Sequence, residues 1–337
     1  MCVPDGTRYV QTAEALHALA ALRPGLRVVV GLGLHRRMEG EELRPLRDCG
    51  LELVQHDPDA CVDLGEVQGL PCLVHPWVAE GPSLALGGVE LHQYAGFSGG
   101  HKAVSVGCGG RATLAGLHRR ELVCHPDVQV GRIEGNPFRQ AVDALGRRAG
   151  CVWAVQQLPD GRWLSGTPEE ALVRGAEAQQ PWFDVDRRAS SALLRVPATK
   201  ATNLYQASRA VTYLALSPRP PLAPGALLML EAACPEGMGR GSGELAFAEL
   251  VRGRSELASL LRGPVPSGAG LQRAYMLARL EERGFRLQIW GCEATRELRE
   301  HGFEAFEERA PEAELLVDQP FRRLPQLAGG RVGDGVS

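Results

Sequence analysis

The strongest constraint on the fold is an alternation that runs the length of the chain. Short apolar, β-branched runs alternate with segments of helical spacing. Arg27–Gly33 (RVVVGLG) is the clearest run and reads as a buried parallel strand. Thr12–Leu22 (TAEALHALAAL) before it reads as a helix with Thr12 as N-cap. Gly40–Asp48 reads as helix, and Leu51–His56 and Ser83–Gly88 as strands. Residues 111–120 follow as helix, Asn136–Arg148 as an amphipathic helix, Cys151–Gln156 as a strand, and Thr167–Gly175 as a helix with a T-x-E-E start. Beyond residues 178–192, a break of tryptophan, proline and mixed charge, the pattern resumes with Leu193–Val196 and a helix through Tyr205–Leu216. Strand Ala226–Ala233, helices near 244–262 and 267–283, strand Arg286–Trp290, helix Ala294–His301 and strand Glu314–Asp318 complete it. The expectation is an α/β protein of two α/β domains with mostly parallel sheets.

Length supports two domains, since 337 residues exceed one ordinary domain. The expected division is residues 1–185, then 186–311, with the last strand (312–328) packing back on the first domain and a flexible tail over 329–337. A net charge of −3 gives no electrostatic reason to expect nucleic acid or an anionic membrane as partner. No run approaches the roughly 18 apolar residues of a membrane span. The start MCVPDGTRYV lacks the basic-then-apolar pattern of a secretion signal, and nine cysteines without a C-x-x-C pair do not form a disulfide framework. A reducing, cytoplasmic location is expected.

Five stretches could carry chemistry. In Gly31-Leu-Gly33-Leu-His35-Arg36 a strand runs into G-x-G, but the third glycine of a dinucleotide fingerprint is missing. A tight turn leaving a strand is the commoner reading. His35 nonetheless sits at the C-terminal end of a parallel strand, where open sheets place ligands. The densest stretch is His92-Gln-Tyr-Ala-Gly-Phe-Ser98-Gly99-Gly100-His101-Lys102, continuing to His118. Its glycine loop can cradle an anion, and the Lys102 amine can contact a phosphate or form a covalent bond. Asp5-Gly-Thr-Arg8 is a turn or an acid–arginine pair at a site. Gln206 and Arg209 are three apart and share a helix face, a solvated one unless other residues say otherwise. Glu236–Gly243 (EGMGRGSG) wraps a ligand or merely loops. A zinc site from His35, His92 and His118 is open in principle, without a close histidine pair to support it.

The His92–Lys102 stretch with His118 resembles the nickel-dependent lactate racemase family. The family pattern is a histidine, then A-G-F-S-G-G-R-K, then a histidine sixteen residues after the lysine. The resemblance extends in order through Asp5-Gly-Thr-Arg8, Gly33-Leu-His35-Arg36 and Asn203-Leu-Tyr-Gln206, and so covers most of the chain. It implies an active site in the cleft between the domains. It also implies a racemase or epimerase of 2-hydroxy acids with a nickel-pincer cofactor, a pyridinium-3,5-bisthiocarboxylic acid mononucleotide held covalently by Lys102 beside Ser98, Gly99 and Gly100. His118 would ligate nickel, and His35 and His92 would be the acid/base pair. Asp5, Arg8, Gln206 and Arg209 would bind substrate. Implied partners are a small 2-hydroxy acid and the enzymes that synthesise the cofactor.

Three departures mark this chain, one of them the replacement of the serine and proline-glycine that usually follow the lysine by Ala103-Val-Ser-Val-Gly-Cys-Gly. His101 stands where the family usually has arginine before the anchoring lysine, and Arg209 where it typically has lysine. Arginine keeps the charge and grips a carboxylate bidentately, which favours a different or larger 2-hydroxy acid than lactate. Relatives also carry a strand leading into the Asp5 motif, which places either the true start upstream of Met1 or one strand fewer in the N-terminal sheet. The competing readings are a nucleotide- or metal-binding relative that does not racemise, acting as a carrier or sensor, and a metal-dependent hydrolase on the same histidines.

Overall fold

The computed structural model describes residues 1–8, 10–23, 25–252, 257–262 and 270–328. The tail from residue 329 and parts of the segments expected as helices near 244–262 and 267–283 lie outside them. Two sheets dominate. The first has six strands in the spatial order Trp163–Gly166, Cys151–Gln157, Ser83–Gly88, Cys2–Pro4, Val28–Gly31, Leu53–Gln55. All pair in parallel except the Trp163–Gly166 edge. The second has five parallel strands in the order Glu304–Ala305, Arg286–Trp290, Leu222–Glu231, Ala189–Arg195, Leu315–Val317. The mixed α/β architecture with mostly parallel sheets is therefore observed.

The period-two pattern of RVVVGLG works as expected. Val28 and Val30 point into a smaller core with Val3, Leu16, Leu43 and Leu46, roofed by helices Thr12–Leu22 and Gly40–Arg47. Val29 and Cys2 point to the opposite face, into a large core that continues through the second sheet. Cys2–Pro4 lies at the centre of the first sheet, between Val28–Gly31 and Ser83–Gly88. The strand thought to be missing before Asp5 is thus present, only three residues long. The order reverses around it, and such a switch point opens a crevice beyond the C-terminal strand ends.

Several local expectations are corrected. Thr12 is the first helical residue and not the cap; Gln11 precedes it without a side-chain cap. The Tyr205–Leu216 helix breaks at Ser208 into Leu204–Ala207 and Arg209–Ala215. The break region at 178–192 holds strand Trp182–Val185, which pairs in parallel with Leu324–Leu327. Leu315–Val317 instead joins the second sheet. Short antiparallel pairs at Val62–Val67 with Leu70–Val74, and at Leu91–His92 with Gly96–Phe97, lack a clear sequence pattern. The stretch after Lys102 forms a single π-helical turn, Ala103–Gly107. Among the described residues no helix is long and apolar enough to cross a membrane.

Candidate functional site

One cleft lies beyond the C-terminal ends of Cys2–Pro4, Val28–Gly31 and Ser83–Gly88, and the Arg209–Ala215 and Gln272–Glu282 helices close its far side. It contains about 1150 Å³ of space not filled by protein atoms, part of it open to solvent. Asp5, Arg8, His35, His92, Ser98, Gly99, Gly100, Lys102, His118 and Arg209 all line it. Gln206 does not line it; it stands behind His35 as a support.

Asp5 follows the first strand directly. Its Oδ1 accepts from the Thr7 amide at 3.1 Å and the Thr7 hydroxyl at 2.6 Å, the side-chain-to-backbone turn that Asp-Gly favours. Its Oδ2 lies 2.6 Å from His35 Nδ1. Burial alone would raise the Asp5 carboxyl; His35, Arg8 and Thr7 outweigh it and hold the group well below the usual carboxylate range. An ionised Asp5 fixes the His35 proton on Nδ1 and leaves Nε2 as acceptor. Nε2 takes a hydrogen bond from Gln206 Nε2 at 3.0 Å. The Gln206 amide is oriented on both sides, giving its other N–H to Glu244 at 3.3 Å and accepting from Arg209.

The helix face carrying Gln206 and Arg209 is therefore not solvated. Gln206 is fully buried, Arg209 nearly so. Asn203 caps the short helix by accepting from the Gln206 amide at 2.9 Å. Burial draws the Arg209 guanidinium down to about 10, with Arg8 and Arg273 adding repulsion.

His92 has the opposite tautomer. Its Nδ1 accepts from the amides of Tyr94 (3.3 Å) and Ala95 (3.1 Å), so the neutral ring carries its proton on Nε2. Burial, then Lys102, Arg8 and Arg209, push it well below an ordinary histidine. His118 donates Nδ1–H to the Leu114 carbonyl at 2.8 Å, which leaves Nε2 with a free lone pair. Burial holds the His118 ring neutral, at about 4. Tyr94 lies between these histidines, 5.8 Å from each ring centroid. Among the described residues no three His, Cys, Asp or Glu side chains converge as a metal site, so the three-histidine zinc arrangement does not form.

Among the described residues Lys102 forms no ion pair or hydrogen bond through its amine. Burial and the cations Arg8, Arg139 and Arg209 depress it well below an ordinary lysine. It is one of only two lysines among the chain's 37 lysines and arginines. The other, Lys200, is buried and bonds the Thr7 carbonyl (2.9 Å) and Glu90 (3.0 Å), which ties down the Asp5–Arg8 turn. An uncompensated, readily deprotonated amine is nucleophilic, and acylation would remove a charge that its surroundings oppose. A cofactor bound through this amine and ligated by His118 Nε2 fits these residues. His101, the departure next to it, points away from the cleft. Its Nε2 sits 3.0 Å from Glu169 in space left by Gly146.

The glycines have reasons of their own. A Cβ on Gly99 would meet Gln156 Oε1 at 2.2 Å, and one on Gly96 the Arg132 carbonyl at 2.0 Å; both have positive φ. Both therefore have a packing reason within the protein. Buried Arg139 donates to the carbonyls of Ala95 (3.3 Å), Phe97 (2.9 Å) and Gly99 (3.4 Å) and so pins the loop. Gly31 packs on Gly107, where its Cβ would be 3.0 Å from backbone, and this explains G-x-G without a dinucleotide. The 236–243 run is a clamp: Gly241 abuts the backbone of Leu34, His35 and Arg36, while Glu236 pairs with Arg36 at 2.9 Å.

The sequence motifs gave no role to Arg139, Glu244 or Arg273, whose elements read as ordinary helix or cap, and passed over Gln93 and Tyr94 within the His92–Lys102 stretch.

An open two-sheet α/β protein with a cationic, histidine-bearing cleft at a strand-order switch is the class defined here. A family model, the lactate racemase N-terminal domain, matches residues 1–131. The lactate racemase of Lactiplantibacillus plantarum (strain ATCC BAA-793 / NCIMB 8826 / WCFS1) is 27% identical over 163 residues, 45% of this chain. The match spans only 38% of that relative's length. The lactate racemase apoprotein from Thermoanaerobacterium thermosaccharolyticum superposes with a TM-score of 0.78 at 17% identity, over 96% of this chain and 85% of that one. A Thermotoga maritima protein superposes with a TM-score of 0.75 at 16% identity, over 97% and 92%. Residues 1–131 thus match the lactate racemase N-terminal domain, and the chain as a whole shares the fold of the solved lactate racemase apoprotein.

Proposed function

We propose that this protein is an isomerase that racemises or epimerises a 2-hydroxy acid, with a nickel-pincer nucleotide tethered to Lys102. The observation that carries this reading is the convergence of Lys102, His118, His35 and His92 on one cleft. When bound, the nucleotide supplies an acceptor for the hydride at C2 of the substrate, with nickel held by His118. Everything else falls to the chain. Arg209 and Arg8 grip the carboxylate and orient C2. His35, with Nε2 unprotonated, takes the hydroxyl proton once that hydroxyl displaces the Gln206 amide. His92, with its proton on Nε2, returns one to oxygen. The opposite tautomers thus give a base and an acid already in place, and microscopic reversibility exchanges their roles in the other direction. Burial of His92 and Tyr94 shields the reacting carbon from water on that side.

The test is metal analysis with intact mass on protein made alongside the cofactor-synthesis enzymes. One nickel per chain and a mass increase mapped to Lys102 are expected, together with racemisation in which C2 retains its deuterium. An unmodified Lys102 and no nickel under those conditions sink the reading. A loaded chain inactive on a hydroxy-acid panel would point to the carrier or sensor role.

A further inference from the structure

Arg273, on the Gln272–Glu282 helix, lines the same cleft and is 2% exposed. Among the described residues no carboxylate pairs with it. Its Nη1 donates to Gln93 Oε1 at 3.1 Å and Thr212 Oγ1 at 2.9 Å, and Nη2 to the Tyr94 hydroxyl at 3.4 Å. Its Nε is buried without a partner. A guanidinium stays charged in proteins, and burying one without a counter-charge is costly, so a buried unpaired arginine in a cleft implies an anion supplied from outside.

The position of Arg273 says which anion. Thr212 lies one helical turn after Arg209, and its hydroxyl accepts from Arg273, so the two guanidiniums flank one stretch of the Arg209–Ala215 helix. Tyr94, the other contact, lies against both His92 and His118, which sets Arg273 at the end of the cleft where proton transfer would occur. Arg8 is a third guanidinium on the lining. Against these three, Asp5 is the only carboxylate among the described lining residues, and His35 and Thr7 already engage it. The phosphate of a bound mononucleotide would answer part of this positive charge, and a substrate with a single carboxylate leaves the rest.

We infer that Arg273 receives a second carboxylate, so that the protein prefers 2-hydroxy dicarboxylic acids, with the carboxylate next to C2 at Arg209 and the distal one at Arg273. The inference deepens the racemase reading and rests on it for the reaction, though not for the binding.

The test uses 2-hydroxysuccinate and lactate as probes, titrated calorimetrically into the chain with and without cofactor, followed by racemisation kinetics on the loaded protein. At least tenfold tighter binding of 2-hydroxysuccinate is expected. R273M should abolish that preference while leaving lactate affinity within about threefold, and R273K should recover part of it. In kinetics the R273M loss should fall on KM for the dicarboxylate more than on kcat. Equal affinity for the two probes in the unaltered protein overturns the inference, as does an R273M loss shared by both. Loss of the Lys102 mass increase in R273M, with the preference intact, would assign Arg273 to the nucleotide phosphate and likewise overturn it. If R273M does not fold, T212V, which removes one Arg273 contact and no charge, should weaken the preference; an unchanged preference there counts against the inference. Arg273-dependent dicarboxylate binding without racemisation leaves the inference standing and fails the racemase reading. Racemisation of lactate without preference does the reverse.

Discussion

Asp5 Oδ2 lies 2.6 Å from His35 Nδ1, and this contact determines which nitrogen of His35 faces substrate. With the carboxylate ionised, the proton stays on Nδ1 and Nε2 keeps its lone pair. Replacing Asp5 by asparagine keeps size and most hydrogen bonding but lets the amide donate to Nδ1, which would put the proton on Nε2. D5N is expected to lower kcat by roughly 100-fold or more, on the scale of other wrong-tautomer variants. KM should change less than tenfold. The Asp5 carboxyl is held well below its usual range, so it stays ionised wherever the protein is folded. A D5N enzyme with a near-normal kcat would show that Asp5 does not set the tautomer.

Lys102 is half-buried; its amine is desolvated beside Arg8, Arg139 and Arg209 and has no ion pair among the described residues. Its surroundings favour the neutral form, so keeping or removing the charge costs the unloaded protein stability. K102M is expected to leave the melting temperature of the unloaded chain equal or slightly higher, while abolishing covalent loading. Since only two lysines exist, the same point can be checked on the wild-type chain with an amine-acylating reagent near neutral pH. Peptide mapping should find Lys102 acylated well ahead of Lys200, whose amine is held between Thr7 and Glu90. Preferential labelling of Lys200, or a K102M protein that melts several degrees lower, would contradict this account.

What the sequence makes legible follows physical lines. The parallel strand Val28–Gly31, and His35 beyond its end, can be read from a β-branched run closed by glycine. Lys102 and His118 can be read from a dense local motif. Asp5 and Arg8 can be read as a pair, but the partnership of Asp5 with His35 spans two strands and has no local signature. Arg273 is the harder case. It opens a helix, QRAYMLARLEE, in which an arginine ordinarily snorkels to solvent; only packing against the Arg209–Ala215 helix buries it. The Gln206–Arg209 pair fails in the opposite sense, since i, i+3 spacing predicts a shared face but not that the face is internal. The π-helical turn at Ala103–Gly107 depends on Gly31 meeting Gly107, a contact between residues 76 apart that periodicity does not reveal.

The Glu236–Gly243 loop can be tested at one position. Gly241 has an ordinary backbone conformation, with φ −75°, so alanine there is not strained in itself. Its Cβ would nonetheless meet the Leu34 carbonyl oxygen at 2.8 Å, the Arg36 nitrogen at 2.9 Å and the His35 carbonyl carbon at 3.1 Å. All three are backbone atoms and cannot rotate away. G241A is expected to cost about 1–3 kcal/mol of stability, as overpacking typically does. It should also lower kcat by roughly tenfold or more by shifting the His35 segment, and cofactor loading at Lys102 should persist. Thermal melting and steady-state kinetics on the loaded variant read both effects. Full activity would show that the clamp does not position His35.

A pH effect on stability is expected at His56, which is 1% exposed and away from the cleft. Its Nε2–H donates to the Gly109 carbonyl at 3.0 Å, while Nδ1 is buried without a partner. Burial, the largest influence, lowers the ring to about 4. The sign follows from proton counting. Above roughly pH 6.5 both the folded and unfolded forms are neutral here, and His56 contributes nothing to pH dependence. As pH falls from about 6.5 to about 4, the unfolded chain binds a proton that the folded chain refuses. Stability therefore drops across that window, by up to about 3 kcal/mol from this one group. H56Q retains a donor for Gly109 but does not titrate. Urea denaturation of the two proteins between pH 4 and 7 should give a shallower acid decline for H56Q, the two curves running parallel above pH 6.5. Parallel curves throughout would mean that His56 takes up its proton alike in the folded and unfolded protein, contrary to this account.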